Sequence, residues 1–593
     1  MQKYLIAFTL TLAAFLRFYQ LGNIPPSLYW DEVALGYNAY SIAQTARDEH
    51  GRFLPYDYFL SFGDYKPPVY IYAAVPLIKL FGLHEWTTRF PSAFFGTLTV
   101  VLTYLFVAKI LRYYSFFNSS LQRHTPLLAA FFVAISPWHL QTSRVAFEAN
   151  IGQFLTLTAG YLLFSAIHAT RHYGIQITLA GVLFVSTFYT FNSNRVFTPL
   201  LVLFFVILFW RQLFNKQRLP QTLFAASLSL VLLSPLLPHL FSKEGQLRYR
   251  EVNIFSQSEP VEIANERIAR ADNAIWAQVF NNRRVYYLQN WLDGYFTHFK
   301  GDFLFIHGDV NPRFSSGDIG QLYLASLPFI LIGMYFSVIS KNKAGLLLLG
   351  WLFLAPVPAA FAREVPHALR TLHIIPMFDI FTAVGITAVA VYLREYFAKH
   401  SFVRSASITF LTLGLAGLFL FAQIFYFFYS YLVFYPRDYM AEWQYGYKHL
   451  SQKLAEFYPA YDRIVVTNAL GRAYINVLFY QAYPPGVYQS QRRTKIDDLG
   501  FGFVEVEGFS KYEFRGIDWK KEIRDSQSEE NVLVVGVPSE VKEGKFTKAV
   551  ITDLKNQPVF VINEIPKGVD AWTELGLFDS PEGYQFWHQQ QSL

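Results

Sequence analysis

Two acids, a lysine and an arginine stand out early in the chain. Asp31 and Glu32 follow an apolar run in Tyr29-Trp30-Asp31-Glu32, and Lys66 opens Lys66-Pro67-Pro68. Arg89 lies in Thr88-Arg89-Phe90-Pro91. A carboxylate among aromatic rings, here Tyr29, Trp30, Tyr37 and Tyr40, can be shifted toward a general base. The bland alternative is a pair of solvated loop acids. Residues 31–46 are expected to form an amphipathic helix along the membrane interface. Lys66 precedes two prolines suited to a first helical turn, where an ammonium and backbone N–H groups can share a phosphate. It could equally be a lysine touching lipid headgroups.

Further candidates recur along the chain. Arg144 and Glu148 are four apart, a spacing that puts both on one helical face and permits an ordinary ion pair. Arg195 ends Asn192-Ser193-Asn194-Arg195, and Arg363-Glu364-Val365-Pro366-His367-Ala368-Leu369-Arg370 supplies His367 and Arg370. Each charge alone could be a snorkelling anchor. Gathered at one membrane face, they suit an anionic, lipid-linked substrate: cations for a phosphate, apolar grooves for a tail, aromatics for a sugar ring.

The elements that must position these residues are membrane helices. Of 593 residues, 53% are hydrophobic and only 16% charged, and mean hydropathy is +0.23. That excludes a disordered chain and a disulfide-rich scaffold, and the absence of cysteine excludes thiolate metal sites and a cysteine nucleophile. A span needs about 20 apolar residues. Eleven are expected, near 4–21, 87–108, 126–142, 150–169, 174–191, 196–212, 221–241, 321–340, 344–362, 371–393 and 405–430.

Residues 67–82 are apolar but short, and contain Pro76 and Lys79. If they do not cross, Lys109, Arg112, Arg123, Arg211, Lys341 and Arg394 all fall in cytoplasmic loops, while every acid of the first 241 residues falls outside. Counting them as a span inverts that pattern. The positive-inside rule therefore makes 67–82 a shallow or re-entrant helix at the outer surface. The N-terminus is then cytoplasmic, the chain a multi-pass protein of the cytoplasmic membrane, and the loops at 22–86 and 242–320 lie outside. The +7 net charge belongs largely to the inner loops and is no nucleic-acid signature.

The division expected is a membrane domain, 1–430, and an extracytoplasmic α/β domain, 431–593. The second is richer in charge and in Gly/Pro breaks. It carries β-like runs at Arg463–Asn468, Val532–Val537 and Val559–Ile565, with helical patterns at 439–457 and 472–482.

The ordered set Tyr29-Trp30-Asp31-Glu32, Lys66-Pro67-Pro68 and Phe81-Gly82-x-x-Glu85-x-x-x-Arg89-Phe90-Pro91-Ser92-Ala93 resembles the C-type membrane glycosyltransferases. Within them it is similar to the branch holding protein O-mannosyltransferases and bacterial aminoarabinose–lipid A transferases. Asp302-Phe303-Leu304-Phe305, His307-Gly308-Asp309 and Gly320-Gln321-Leu322-Tyr323 also look like bacterial members. The resemblance covers about 1–430, and the tail matches nothing recognised.

The resemblance implies inverting transfer of a monosaccharide from a polyprenyl-phosphate carrier to an acceptor hydroxyl at the outer membrane face. Asp31 matches the key acid and Glu32 its partner. Lys66 matches the cation beside the donor phosphate, with Arg195 and Arg370 matching phosphate-binding positions more loosely. Arg144, Glu148 and His367 fall near the family's second acidic or acceptor site. Relatives often carry Asp where Glu148 stands, so three occupants stay open there: a divalent metal, an acceptor, or Arg144 itself. The alternatives from other classes are a transporter or flippase of lipid-linked glycans and a lipid-linked polymer ligase. The acceptor could be a protein, a lipid or a glycan.

Overall fold

The computed structural model describes residues 2–62, 64–117, 119–242, 245–246, 252–399, 402–496, 504–519, 521–522, 530–565 and 567. The chain divides into two compact units. One joins Met1–Leu21, Pro67–Tyr70 and Arg89–Phe434; the other joins Gly22–Lys66, Ile71–Thr88 and Tyr435–Leu593.

The first unit is built from apolar helices: α1 (Gln2–Phe18), α4 (Glu85–Tyr113), α5 (Thr125–Ile135), α6 (Pro137–Ser143), α7 (Glu148–Ile167), α8 (Tyr173–Phe188), α9 (Asn194–Leu213), α10 (Leu219–Leu233), α11 (Leu327–Ile339), α12 (Lys343–Leu354), α13 (Met377–Lys399) and α14 (Phe402–Tyr429). Each of the eleven expected spans coincides with helix. Among the described residues seven helices are long and apolar enough to cross a membrane, and three apolar ones are shorter. One of the shorter three is α3 (Pro68–Phe81), at the ambiguous 67–82 stretch. Its 14 residues rise about 21 Å, against about 30 Å of hydrocarbon. The span expected at 126–142 is broken between α5 and α6. Pro137 starts the second helix, and the Ser136 hydroxyl accepts from the His139 N–H.

Helices α11 and α13 approach so closely that Gly333 lies against the Phe381 carbonyl and Gly385 against that of Phe329, leaving no room for a Cβ at either. Such small-residue contacts let membrane helices gain dispersion where no hydrophobic force drives them together. The segment between α10 and α11 carries further helices at Glu259–Arg270, Ile275–Phe280 and Arg283–Thr297.

The second unit is α/β. Its seven-stranded sheet runs β4-β5-β6-β3-β7-β9-β8. The strands are β3 (Arg463–Val466), β4 (Arg493–Ile496), β5 (Val504–Phe509), β6 (Tyr512–Phe514), β7 (Val532–Gly536), β8 (Thr547–Thr552) and β9 (Pro558–Ile565). The central β3 pairs parallel with β6 and β7, and the flanking pairs are antiparallel. The three β-like runs read from the sequence are β3, β7 and β9. Helices α15 (Tyr447–Phe457), α16 (Ala473–Tyr480) and α17 (Pro485–Gln491) belong to this unit.

So does α2 (Trp30–Thr45), and here the expectation fails. Glu32, Val33, Ala34, Leu35, Gly36, Tyr37, Asn38, Ala39, Ser41 and Ile42 are all buried, so α2 is enclosed on every face. Val33, Ala34 and Tyr37 enter a core with Ile464, Val477, Leu478, Phe509 and Phe560. Small residues, Gly36 and Ala39 among them, allow a helix with weak polar patterning to be covered all round. A two-stranded hairpin, β1 (Phe59–Ser61) and β2 (Asp64–Lys66), completes this part.

Candidate functional site

Asp31 occupies the first turn of α2, where a carboxylate gains from the helix dipole. Lys66 ends β2, opposite Phe59. The hairpin brings the two together: the Lys66 ammonium donates to Asp31 Oδ1 at 2.5 Å and lies 3.5 Å from Asp64 Oδ2. The Lys66 side chain is only 5% exposed, that of Asp31 29%. The cation is thus largely desolvated while its carboxylate partner opens to solvent. Glu32 is fully buried one residue further. Phe62 supplies an aromatic wall, its ring centroid 6.0 Å from Lys66 Nζ.

A second, buried network holds this arrangement. Ser61 Oγ donates to Glu49 Oε1 at 2.8 Å, and Asn38 Nδ2 donates to the same oxygen at 3.3 Å. The Glu49 N–H returns a bond to Asn38 Oδ1 at 3.0 Å. Asn38 is on α2 and Ser61 on β1, so Glu49 ties the element bearing Asp31 to the hairpin bearing Lys66. Burial pushes the Glu49 carboxyl up to about 8, against the pull of its Ser61 and Asn38 hydrogen bonds. It is protonated at neutral pH. Burial has the opposite effect on His50, lowering it to about 4, so that ring is neutral. Sequence reasoning counted Glu49 only as one more outer acid.

In the first unit the remaining candidates separate. Arg144 and Glu148 are not on one helical face: Arg144 caps the C-terminus of α6, and the chain turns before Glu148 opens α7. The chain leaves the helix at Arg144 and re-enters one at Glu148, which the i,i+4 reading did not foresee. The Arg144 guanidinium donates to the Leu16 and Tyr19 carbonyls at 2.6 and 2.8 Å and lies 5.8 Å from the Tyr431 ring. It thereby clamps the end of α1, where carbonyls lack helical partners. Arg89, fully buried, donates to the Leu21 carbonyl at 3.2 Å. Arg195, in the first turn of α9, donates from Nε to the Phe188 carbonyl at 3.3 Å.

His367 and Arg370 do come together, with a partner that sequence reasoning noted only as family-like. His367 stacks on Phe314 at 4.7 Å, and its Nδ1 accepts from the Arg370 N–H. The His367 N–H donates to His298 Nε2 at 3.1 Å. His298 Nδ1 in turn donates to the Gly294 carbonyl, which fixes a neutral ring, and burial lowers this histidine to about 4. Asp309 accepts from the Ala368 N–H at 2.6 Å and the Asn311 N–H at 2.9 Å. Burial raises Asp309 to about 6 despite those two bonds. The His307-Gly308-Asp309 turn thus folds onto the segment carrying His367 and Arg370. Among the described residues, no group of three His, Asp or Glu side chains is assembled that could hold a metal ion.

The comparisons with known proteins agree with this architecture. Residues 8–242 match the family model for dolichyl-phosphate-mannose-protein mannosyltransferase. No curated protein matches the chain in sequence. The fold is similar to that of ArnT from Cupriavidus metallidurans in the apo state, with a TM-score of 0.52 and 11% identity over 94% of this chain and 97% of that one. ArnT from Cupriavidus metallidurans bound to undecaprenyl phosphate gives a TM-score of 0.51 at 11% identity, over 94% of this chain and 98% of that one. Residues 8–242 thus match a mannosyltransferase family model, and the fold along 94% of the chain is that of a C-type membrane glycosyltransferase.

Proposed function

We propose that the protein moves a monosaccharide from a polyprenyl-phosphate carrier to an acceptor hydroxyl, with inversion, at the outer face of the cytoplasmic membrane. The observation that carries this reading is the 2.5 Å contact between Asp31 and the buried Lys66 ammonium. It brings a carboxylate and a largely buried ammonium side by side, which supports reading them as base and phosphate-binding cation. The ArnT structure with undecaprenyl phosphate supports the carrier class.

In the proposed reaction Lys66 turns from Asp31 to the donor phosphate. Asp31, released, accepts the proton of the acceptor hydroxyl. The hydroxyl oxygen bonds to the anomeric carbon as the bond from that carbon to the phosphate oxygen breaks, and polyprenyl phosphate leaves. Lys66 stabilises the negative charge gathering on the leaving phosphate, a contribution that grows in a water-poor site. Glu32 fixes the first turn of α2 from its buried position. In the membrane unit Arg195 and Arg370 are the candidate phosphate-binding cations. Arg144, Glu148 and His367 are the candidate acceptor groups there, with the Arg144 guanidinium already engaged by backbone.

The test is purified protein in nanodiscs with a panel of polyprenyl-phosphate monosaccharides and candidate acceptors, with and without chelator. Transfer or donor hydrolysis is expected, and Asp31→Asn should lower it about 10²–10⁴-fold with an unchanged melting temperature. Near-normal turnover by Asp31→Asn would remove Asp31 as the base. Movement of intact donor across the bilayer without turnover would instead identify a flippase.

A further inference from the structure

The loop that follows β3, Thr467–Arg472, approaches Trp30, which precedes Asp31, and Phe62, whose ring lies beside Lys66. Gln444 fixes it: its Nε2 donates to the Leu470 carbonyl at 2.7 Å, while its Oε1 accepts from the Trp30 N–H at 2.8 Å. One side chain therefore joins the start of α2 to this loop. Tyr447 adds a bond from its hydroxyl to the Gly471 carbonyl at 3.1 Å. Gly471 has φ +74, and a Cβ there would come within 3.0 Å of the Trp30 ring. The lack of a side chain lets the loop press against the residue preceding Asp31.

Arg472 comes next, and it too is left-handed, with φ 49. A residue with a side chain adopts that conformation only where its surroundings hold it, and such sites gather at functional positions. The conformation aims the guanidinium at Phe62, 5.3 Å from the ring centroid. Lys66 approaches the same ring at 6.0 Å. Among the described residues the acid paired with Arg472 is Glu505, at 3.8 Å, with the two side chains 34% and 41% exposed. A contact that long and wet holds little of the guanidinium's hydrogen-bonding capacity. The position also lies at the carboxyl end of a central parallel strand flanked by β6 and β7, where open α/β sheets receive ligands.

We propose that Arg472 is the second cation of the Asp31–Lys66 site and binds an oxygen of the donor's polyprenyl phosphate, which makes the tail a part of donor recognition. A guanidinium fork can grip two phosphate oxygens where an ammonium offers a point charge. Lys66 then follows the charge developing on the leaving oxygen, and Arg472 orients the phosphate. The inference rests on the donor class proposed above.

The experiment measures undecaprenyl phosphate binding to the full chain in nanodiscs, at several salt concentrations. It compares the native protein with Arg472→Gln, Arg472→Lys and Lys66→Gln. Arg472→Gln is expected to weaken binding about tenfold and flatten its salt dependence, the size of one charge-assisted hydrogen bond. Arg472→Lys should recover part of the loss at an unchanged melting temperature, which a merely structural role would not require. If Lys66→Gln weakens binding and Arg472→Gln does not, the inference falls and the donor reading stands. Should Arg472→Gln fail to fold, a folded Arg472→Lys with native affinity and salt dependence, or with no measurable binding, would overturn the fork-like role. Absence of binding by the native protein would remove both.

Discussion

Glu49 gives the most quantitative prediction. Its carboxyl sits at about 8 in the fold instead of 4.5, because burial disfavours the anion more than Ser61 and Asn38 stabilise it. Between those two values the folded protein keeps a proton that the unfolded chain releases. Stability must therefore fall as pH rises through this window and level off above 8. The span from 4.5 to about 8 corresponds to about 5 kcal/mol, at 1.36 kcal/mol per pH unit. Glu49→Gln cannot ionise and can still bond Ser61 and Asn38. The groups around it are Asp48, His50 and Arg52 on its own loop, Tyr37 on α2, Tyr474 on α16, and Tyr488 and Arg492 at α17. They are present in both proteins and cancel in the difference. The assay is the melting temperature of native and Glu49→Gln protein in detergent from pH 5 to pH 9. The variant's relative advantage should widen with pH by about 10 °C, taking 2–4 °C per kcal/mol as for a domain of this size. A difference that stays constant across the range would refute a protonated Glu49.

Three shorter predictions follow. Lys66→Ala should raise the dissociation constant for polyprenyl phosphate about tenfold or more while changing acceptor binding little, as read by titrating each ligand separately. Gly36→Ala should destabilise the α/β unit by about 1–3 kcal/mol, because its Cβ would lie 2.6 Å from both Phe479 Cε2 and Thr88 Oγ1; thermal unfolding reads this directly. Arg144→Leu should lower the melting temperature, since it leaves the Leu16 and Tyr19 carbonyls without their guanidinium donors at about 1.5–3 kcal/mol each.

What could be read from the sequence was local. Helix length and apolarity are properties of about 20 consecutive residues, so all eleven expected spans coincide with helix in the fold. Short β-like runs announced β3, β7 and β9, and the short, Pro-interrupted 67–82 segment announced α3. The motif set around Asp31, Lys66 and Arg89 carried the family resemblance. The α2 reading failed because a helix shows its polar pattern in sequence, while the surface that covers it comes from β3, α16 and β9, hundreds of residues away. The Arg144–Glu148 spacing failed because it assumed one continuous helix across a turn.

The sequence by itself determined a many-helix membrane protein with an α/β tail, and it singled out Asp31 and Lys66 as candidate site residues. Only the tertiary structure decided which charges are in contact and which are buried. Thirty-five residues separate Asp31 from Lys66, and the hairpin closes that distance to 2.5 Å. The protonated state of Glu49 is set by the surfaces that exclude water from it, and no residue type or spacing encodes that. Arg472 is brought toward Phe62 by Gln444 and by the missing side chain at Gly471. Burial and charge pairing depend on which distant segments close around a group, and that closure is a property of the whole fold.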